Sequence, residues 1–310
     1  MRVLVTGGTG FLGAHLVRAL SGAGHELRVF ARTAPLGGDL RAPAEVLAAC
    51  AGVDAVVHAG ALSAAWGSAR DFHAVNVTGT ENVLAACRAQ GVRRLVHISS
   101  PSVVFDGRDQ HALTEQAFYA QRFLSVYSLT KKLAEERVRS SGVPFVILRP
   151  KALFGPGDRT LLPRLVELAR ARRLVQIGDG KNQVDLTYVE NAVDAILAAL
   201  ASERALGRTY HVTNGEHVPL WETIRGILRA LGLDPELRKV SLGAAWTLAR
   251  ALEWRARAFG GEPRFSRYTV AILARTQTYD IRAAREDLGY RPRVTVAQGL
   301  ERTLAELQHA

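Results

Sequence analysis

The sequence predicts an α/β protein: a doubly wound parallel sheet joined to a smaller α/β domain, with the third strand of the sheet shortened. Three observations predict it. The first thirty residues read strand, glycine turn, helix, strand; later apolar runs end in small or hydroxyl residues; and 310 residues suit one large domain with an appendage.

Arg2 to Thr6 (RVLVT) is the first strand, and it stops at Gly7-Gly8-Thr9-Gly10-Phe11-Leu12-Gly13. Helical periodicity begins there. Phe11, Leu12, Leu16, Val17 and Leu20 share one face, and Leu27 to Phe30 supplies the second strand of a βαβ unit. Gly7 permits the tight turn, Gly10 lets a pyrophosphate approach the backbone, and Gly13 lets helix and strand pack closely. A diphosphate then rests on the free N–H groups at the positive end of the helix dipole. The pattern Gly7-x-x-Gly10-x-x-Gly13 after Thr6 resembles the extended short-chain dehydrogenase/reductases, whose large domain is a Rossmann-type sheet.

That resemblance implies that an acidic residue after the second strand would select NAD. Ala31 stands there instead, with Arg32 beside it, so a 2′-phosphate meets no repulsion and a guanidinium can pair with it. NADP(H) is therefore the expected cofactor, with NAD(H) left open. Gly38-Asp39-Leu40 follows almost at once, which shortens the third strand at the sheet edge; by resemblance Asp39 and Leu40 contact adenine.

The next strand, Ala55 to His58, ends in Ala59-Gly60-Ala61, matching a small-residue turn beneath the cofactor. Asp71 to Gln90 reads as one long helix closed by Gly91. Its Asn76 is either the family asparagine that holds a water beside the active-site lysine or a residue shaping a helix bend. Leu95 to Ile98 is a strand ending in Ser99-Ser100-Pro101-Ser102, at the edge where open α/β sheets place their chemistry.

Tyr127 and Lys131 then head a helix running to about Ser140, and their i, i+4 spacing puts both on one face. An ammonium beside a phenol favours phenolate, which predicts a lowered Tyr127 pKa. By resemblance Tyr127 exchanges the proton, Lys131 also holds the nicotinamide ribose, and Ser100 bonds the substrate oxygen, with Ser99 and Ser102 as neighbours able to share that role.

After the strand Phe145 to Leu148, Pro150 and Leu153 are expected to line the nicotinamide. Nucleotide-sugar epimerases of the family usually carry asparagine where Ala152 stands. Arg208 to Thr213 reads as the last strand of the large sheet. The expected division is 1–158 plus about 183–213 for the cofactor domain, and about 159–182 plus 214–310 for the substrate domain. In the latter, Leu242, Trp246, Ala249, Leu252, Ala256 and Phe259 recur at helical spacing, with Arg250, Arg255 and Arg257 elsewhere on the helix. Residues 241–260 are thus a core-facing helix or lid, or a helix in peripheral contact with a membrane.

Composition excludes several classes. With 48% hydrophobic and 22% charged residues the chain is neither disordered nor fibrous. The net charge of +11 is mostly scattered arginine without a block of like charges, which points away from nucleic acid. Cys50 and Cys87 lack metal-ligand spacing and read as reduced thiols. No basic-then-apolar leader precedes the first strand, and no apolar run reaches the roughly 18 residues of a bilayer span, so a cytoplasmic protein is expected. A homodimer is left open.

GALSAAWGS (60–68), SSPSVVFDG (99–107), LRPKALFGPGD (148–158) and DLTYV (185–189) are similar to the 3β-hydroxysteroid dehydrogenase branch, and within it to sterol 4-carboxylate 3-dehydrogenases and bacterial 2-alkyl-3-oxoalkanoate reductases. The resemblance implies an oxidoreductase acting on the secondary alcohol or ketone of a small, apolar, lipid-like substrate, a 3-oxo or 3-hydroxy acid or a steroid. A nucleotide-sugar epimerase or dehydratase, and a regulatory protein that binds NADP without turnover, are the alternatives.

Overall fold

The computed structural model describes residues 1–34 and 36–309. β1 (Arg2–Thr6) turns through Gly7 into α1 (Phe11–Gly22), followed by β2 (Glu26–Ala31) and the two-residue β3 (Leu36–Gly37). α2 (Pro43–Ala49), with proline at its first position, leads to β4 (Ala55–His58). The long helix predicted over 71–90 is one run interrupted in the middle: α3 (Ala69–His73), a π turn over Ala74–Thr78, and α4 (Gly79–Ala89). β5 (Arg94–Ile98), β6 (Gln110–Leu113), α5 (Val126–Arg139), β7 (Phe145–Pro150) and β8 (Leu153–Phe154) follow. The chain continues through α6 (Leu161–Arg170), β9 (Val175–Ile177), β10 (Gln183–Asp185), β11 (Thr187–Tyr188), α7 (Val189–Ala201) and β12 (Arg208–Val212). It ends with β13 (His217–Pro219), α8 (Leu220–Ala230), β14 (Arg238–Val240), α9 (Leu242–Phe259), α10 (Arg267–Ala274), β15 (Gln277–Tyr279), α11 (Arg282–Leu288) and α12 (Val296–His309).

The large sheet has the order β12-β7-β5-β4-β1-β2-β3, and its pairs are parallel. The short β3 sits at the edge, as the sequence predicts, where loss of pairing leaves the core untouched. Interior strands are buried on both faces, which is why they read as continuous apolar runs. Val3 and Val5 join a cluster with Leu16 of α1 and Ala195 and Ile196 of α7, while Leu4 faces the opposite cluster with Val83 and Cys87 of α4. Cys50 and Cys87 are free thiols buried in that second cluster.

A second sheet, β13-β10-β15-β6, lies beside the first. β10 pairs here rather than with the cofactor sheet, because its Asp185 is fully buried and needs the donors that Tyr279 N (2.9 Å) and His217 Nδ1 (2.6 Å) supply. Residues of the 281–290 segment return to the large core, where Ile281, Ala284, Leu288 and Tyr290 are buried with α7 and β12 side chains. The smaller core gathers Ile177, Trp221, Ile224, Ala245, Ala249 and Val270. α9 packs Leu242, Trp246 and Ala249 toward it, but Phe259, counted with that face by its spacing, is 78% exposed at the helix end. Among the described residues no helix is long and apolar enough to cross a membrane.

Candidate active site

The first turn is built for close backbone approach. Gly7 has φ +70°, and a Cβ there would lie 2.7 Å from Gly60 Cα; a Cβ on Gly13 would meet Gly7 O at 2.2 Å. The glycines therefore let the 59–61 turn and α1 both press against β1's end. Gly10 caps α1 without a side-chain acceptor, and the first turn of α1 carries no acid, so its positive end is open to an anion. In front lies a cavity of about 490 Å³ lined by Gly7, Gly10, Arg32, Asp39, Leu40, Ala59, Gly60 and Ala61 of the predicted residues, together with Thr9, Thr33 and Arg41. This cradle fits the diphosphate and adenosine of a dinucleotide. Leu12 and Gly13 contribute from behind, as core packing and close approach, and Phe11 packs edge-on against His15.

Charge at this end is exposed. Arg41 forks onto Asp39 at 3.0 and 2.5 Å and holds its carboxyl below the usual range. Arg32 is exposed in the same wall, and Thr33 bridges to Thr9 of the glycine turn at 2.9 Å. The sequence gives no signal for Arg41; only the fold brings it into the cavity.

At the carboxyl edge of the sheet, Ser100 caps the turn after β5 and Ser125 caps α5, with Tyr127 in the first turn of its helix. The Tyr127 phenol is raised by burial, against the pull of the Ser63 and Ser100 hydroxyls. This corrects the expectation of a lowered value. Lys131 Nζ donates to Ile98 O at 2.6 Å, and burial brings the lysine itself down to about 8, so desolvation dominates the phenol.

Asn76 lies in the π turn, almost fully buried. Its Oδ1 accepts from Leu62 N (2.7 Å), and its Nδ2 donates to Leu62 O (3.0 Å) and Thr130 Oγ1 (3.0 Å). It thereby ties the 59–62 turn to the Tyr127 helix. Beneath, His58 bonds Thr6 Oγ1 at 2.7 Å and Thr80 Oγ1 at 3.0 Å, and its ring lies 5.3 Å from that of His97. Burial keeps both rings neutral, His58 near about 3.

One turn past Lys131, Glu135 is fully buried and takes Arg149 in two bonds, 2.9 and 2.7 Å, with Tyr119 OH at 2.8 Å. Arg149 precedes Pro150, so this pair anchors the helix of Tyr127 to the strand expected beside the nicotinamide. The i, i+4, i+8 spacing of Tyr127, Lys131 and Glu135 is a signal that could have found it. Ser63 and Tyr268 had none: the Tyr268 hydroxyl lies near Ser102 and Ser128 from a segment far along the chain. Pro150 and Leu153 are half-buried, Leu153 against the large core. Ser99 and Ser102 are buried below Ser100. Nearby, Phe105 is buried in the core and Phe118 is 94% exposed.

Comparison with known proteins places the chain by family and fold. The family described as NAD dependent epimerase/dehydratase matches residues 3–213. The 2-alkyl-3-oxoalkanoate reductase of Stenotrophomonas maltophilia is 40% identical, across 98% of this chain and 99% of its own. The human sterol-4-alpha-carboxylate 3-dehydrogenase, decarboxylating, is 33% identical, across 99% of this chain and 88% of its own. Among solved structures, MoeE5 in complex with UDP-glucose and NAD superposes with a TM-score of 0.80 at 25% identity, covering 100% of this chain and 99% of its own.

Proposed function

This chain belongs to the NAD dependent epimerase/dehydratase family and is an oxidoreductase of the short-chain dehydrogenase/reductase type, and we propose that it is an NADPH-preferring reductase of a 2-alkyl-3-oxo acid or a closely similar lipid-like ketone. The observation that carries the reading is the meeting of Tyr127, in the first turn of α5, with the Ser63 and Ser100 hydroxyls at the carboxyl edge of the sheet. A protonated phenol is an acid, which suits delivery of a proton to a carbonyl oxygen. When bound, the nicotinamide supplies the hydride.

Ser100 orients the substrate oxygen and Tyr127 donates its proton to it. Lys131, a buried cation one helical turn from Tyr127, would hold the nicotinamide ribose and stabilise the phenolate left behind. Asn76 acts on this site by holding Leu62 and Thr130 in register. Pro150 and Leu153 form the apolar wall for the nicotinamide, and Arg32, exposed and without a neighbouring acid at Ala31, receives the 2′-phosphate. The relatives' printed substrates share a carbonyl or alcohol near a carboxylate; for that group we assign Lys151, whose ammonium donates to Gln277 at 2.6 Å and is lowered to about 8 by burial. Ala152, held at φ +45°, offers no side-chain amide for a sugar diphosphate.

The test is NADPH consumption with a long-chain 2-alkyl-3-oxo acid, the matching ketone without carboxyl, and a UDP-sugar. The first should turn over fastest, and Lys151→Met should erase its advantage over the second. Equal rates on acid and ketone in the wild type remove the carboxylate from the reading, and turnover of the UDP-sugar alone overturns it.

A further inference from the structure

The outward face of α9 combines large apolar side chains with arginine. Ala245, Ala249 and Glu253 are its buried side. Leu248 (55%), Trp254 (67%) and Phe259 (78%) are exposed, and the Trp254 and Phe259 rings meet edge to face at 6.3 Å. Arg250 and Arg255 flank them, with Ala244, Ala251 and Ala258 between. Glu253, the helix's single acid, is buried and neutralised by Arg267 at 2.8 Å and Arg257 at 3.7 Å, so the exposed side is purely basic. A second copy of this face would oppose arginine to arginine. An anionic surface with an apolar layer beneath its charges complements both features.

The position of the helix adds a reason. Its C-terminal end meets the loop after the 59–61 turn: Arg257 lies 5.5 Å from the Trp66 ring centroid, and an open cleft of about 440 Å³ separates Trp66 and Ser68 from Ala256 and Gly260. Trp66 is three residues from Ser63, which faces Tyr127. At 18 residues and with its arginines, α9 cannot cross a bilayer, so contact would be along the surface.

We propose that α9 docks on an anionic lipid bilayer, with Trp254, Phe259 and Leu248 entering the interface and Arg250 and Arg255 pairing with lipid phosphates. Docking holds the Trp66 edge of the active-site loop against the surface. The proposal goes beyond the reaction and is read without turnover.

The full chain is sedimented with phosphatidylcholine vesicles with and without phosphatidylglycerol, at about 0.15 M salt. Wild type should bind the anionic vesicles about tenfold more tightly than the neutral ones. Trp254→Ser with Phe259→Ser should weaken that binding about tenfold, and Arg250→Gln with Arg255→Gln should do the same. Arg18→Gln with Arg88→Gln removes as much charge from exposed positions elsewhere and should leave it nearly unchanged, which separates a local face from net charge. NADPH affinity, measured in parallel, should stay at the wild-type value in all variants; its absence in the wild type would count against the proposed reaction and not against docking. Equal binding to both vesicles overturns the proposal, as does binding indifferent to both α9 pairs. A dimer that dissociates in the serine variant without any vesicle binding also overturns it.

Discussion

The glycine-turn end and the Tyr127 end of the candidate site are held by opposite means. At the first, Arg32, Asp39 and Arg41 are charged and near solvent, with Asp39 paired to Arg41. At the second, Tyr127, Lys131, His58 and His97 sit where burial disfavours charge, over an ion pair, Glu135–Arg149, that has almost no exposure. Charges in water can be exchanged at small cost to folding, so the exposed end tolerates substitution. Charges out of water are fixed by their neighbours, so the buried end holds one chemistry.

The largest test of that contrast is Glu135→Ala. It strands the Arg149 guanidinium in the core and should cost about 3 to 5 kcal/mol of stability by denaturant unfolding, a loss that no surface ion pair such as Arg41–Asp39 should approach. If Asp39→Ala costs as much, the contrast between the ends is wrong.

Acid should expose the same difference. His58, His97 and His211 are buried with pKa values pushed far below 6.5, His58 and His211 to about 3. The unfolded chain takes up protons below 6.5 while the folded chain does not. Stability present above pH 6.5 is therefore lost as the pH falls toward 3. Going from 6.5 to 5.5 should remove about 1 kcal/mol per histidine, roughly 3 in all. A flat unfolding free energy across that interval would mean the rings protonate in place.

Tyr127→Phe removes only the acidic hydroxyl. Turnover should fall by about 100-fold or more, roughly 2.7 kcal/mol, with NADPH affinity little changed. Near-wild-type turnover at neutral pH would exclude the phenol as the proton donor.

Arg32→Ala, at the exposed end, should have the smallest effect: NADPH affinity lower by about tenfold, near 1.4 kcal/mol, with NADH affinity and stability unchanged. Titration of both cofactors decides it, and equal wild-type affinities for the two end the claim of preference.

The large sheet was legible because its causes are local. β1, the glycine turn and α1 follow from residues 2–22, and the short β3 from the early Gly38-Asp39-Leu40. The serine turn and the Tyr127–Lys131 face were likewise readable, since helix periodicity places i and i+4 together. The direction of the Tyr127 shift was not. It depends on how much water the fold removes, and on Lys131 being drawn to the Ile98 carbonyl, a partner 33 residues away. A helix bend at Asn76 was one of its two sequence readings, but the partners its amide joins were not legible, because Leu62 and Thr130 lie far apart in the chain.

The sequence by itself determined the strand and helix order of the cofactor sheet and the residue types at its carboxyl edge, because backbone sterics, glycine and hydrophobic period act over a few residues. Only the tertiary structure decided which groups lose water and which keep it. It moved β10 into the second sheet around the buried Asp185, set Arg41 in the cofactor wall, brought Tyr268 toward Ser102 and left Phe259 exposed. Burial is a sum over segments distant in the chain, and the charge and acidity of this protein's side chains follow from that sum.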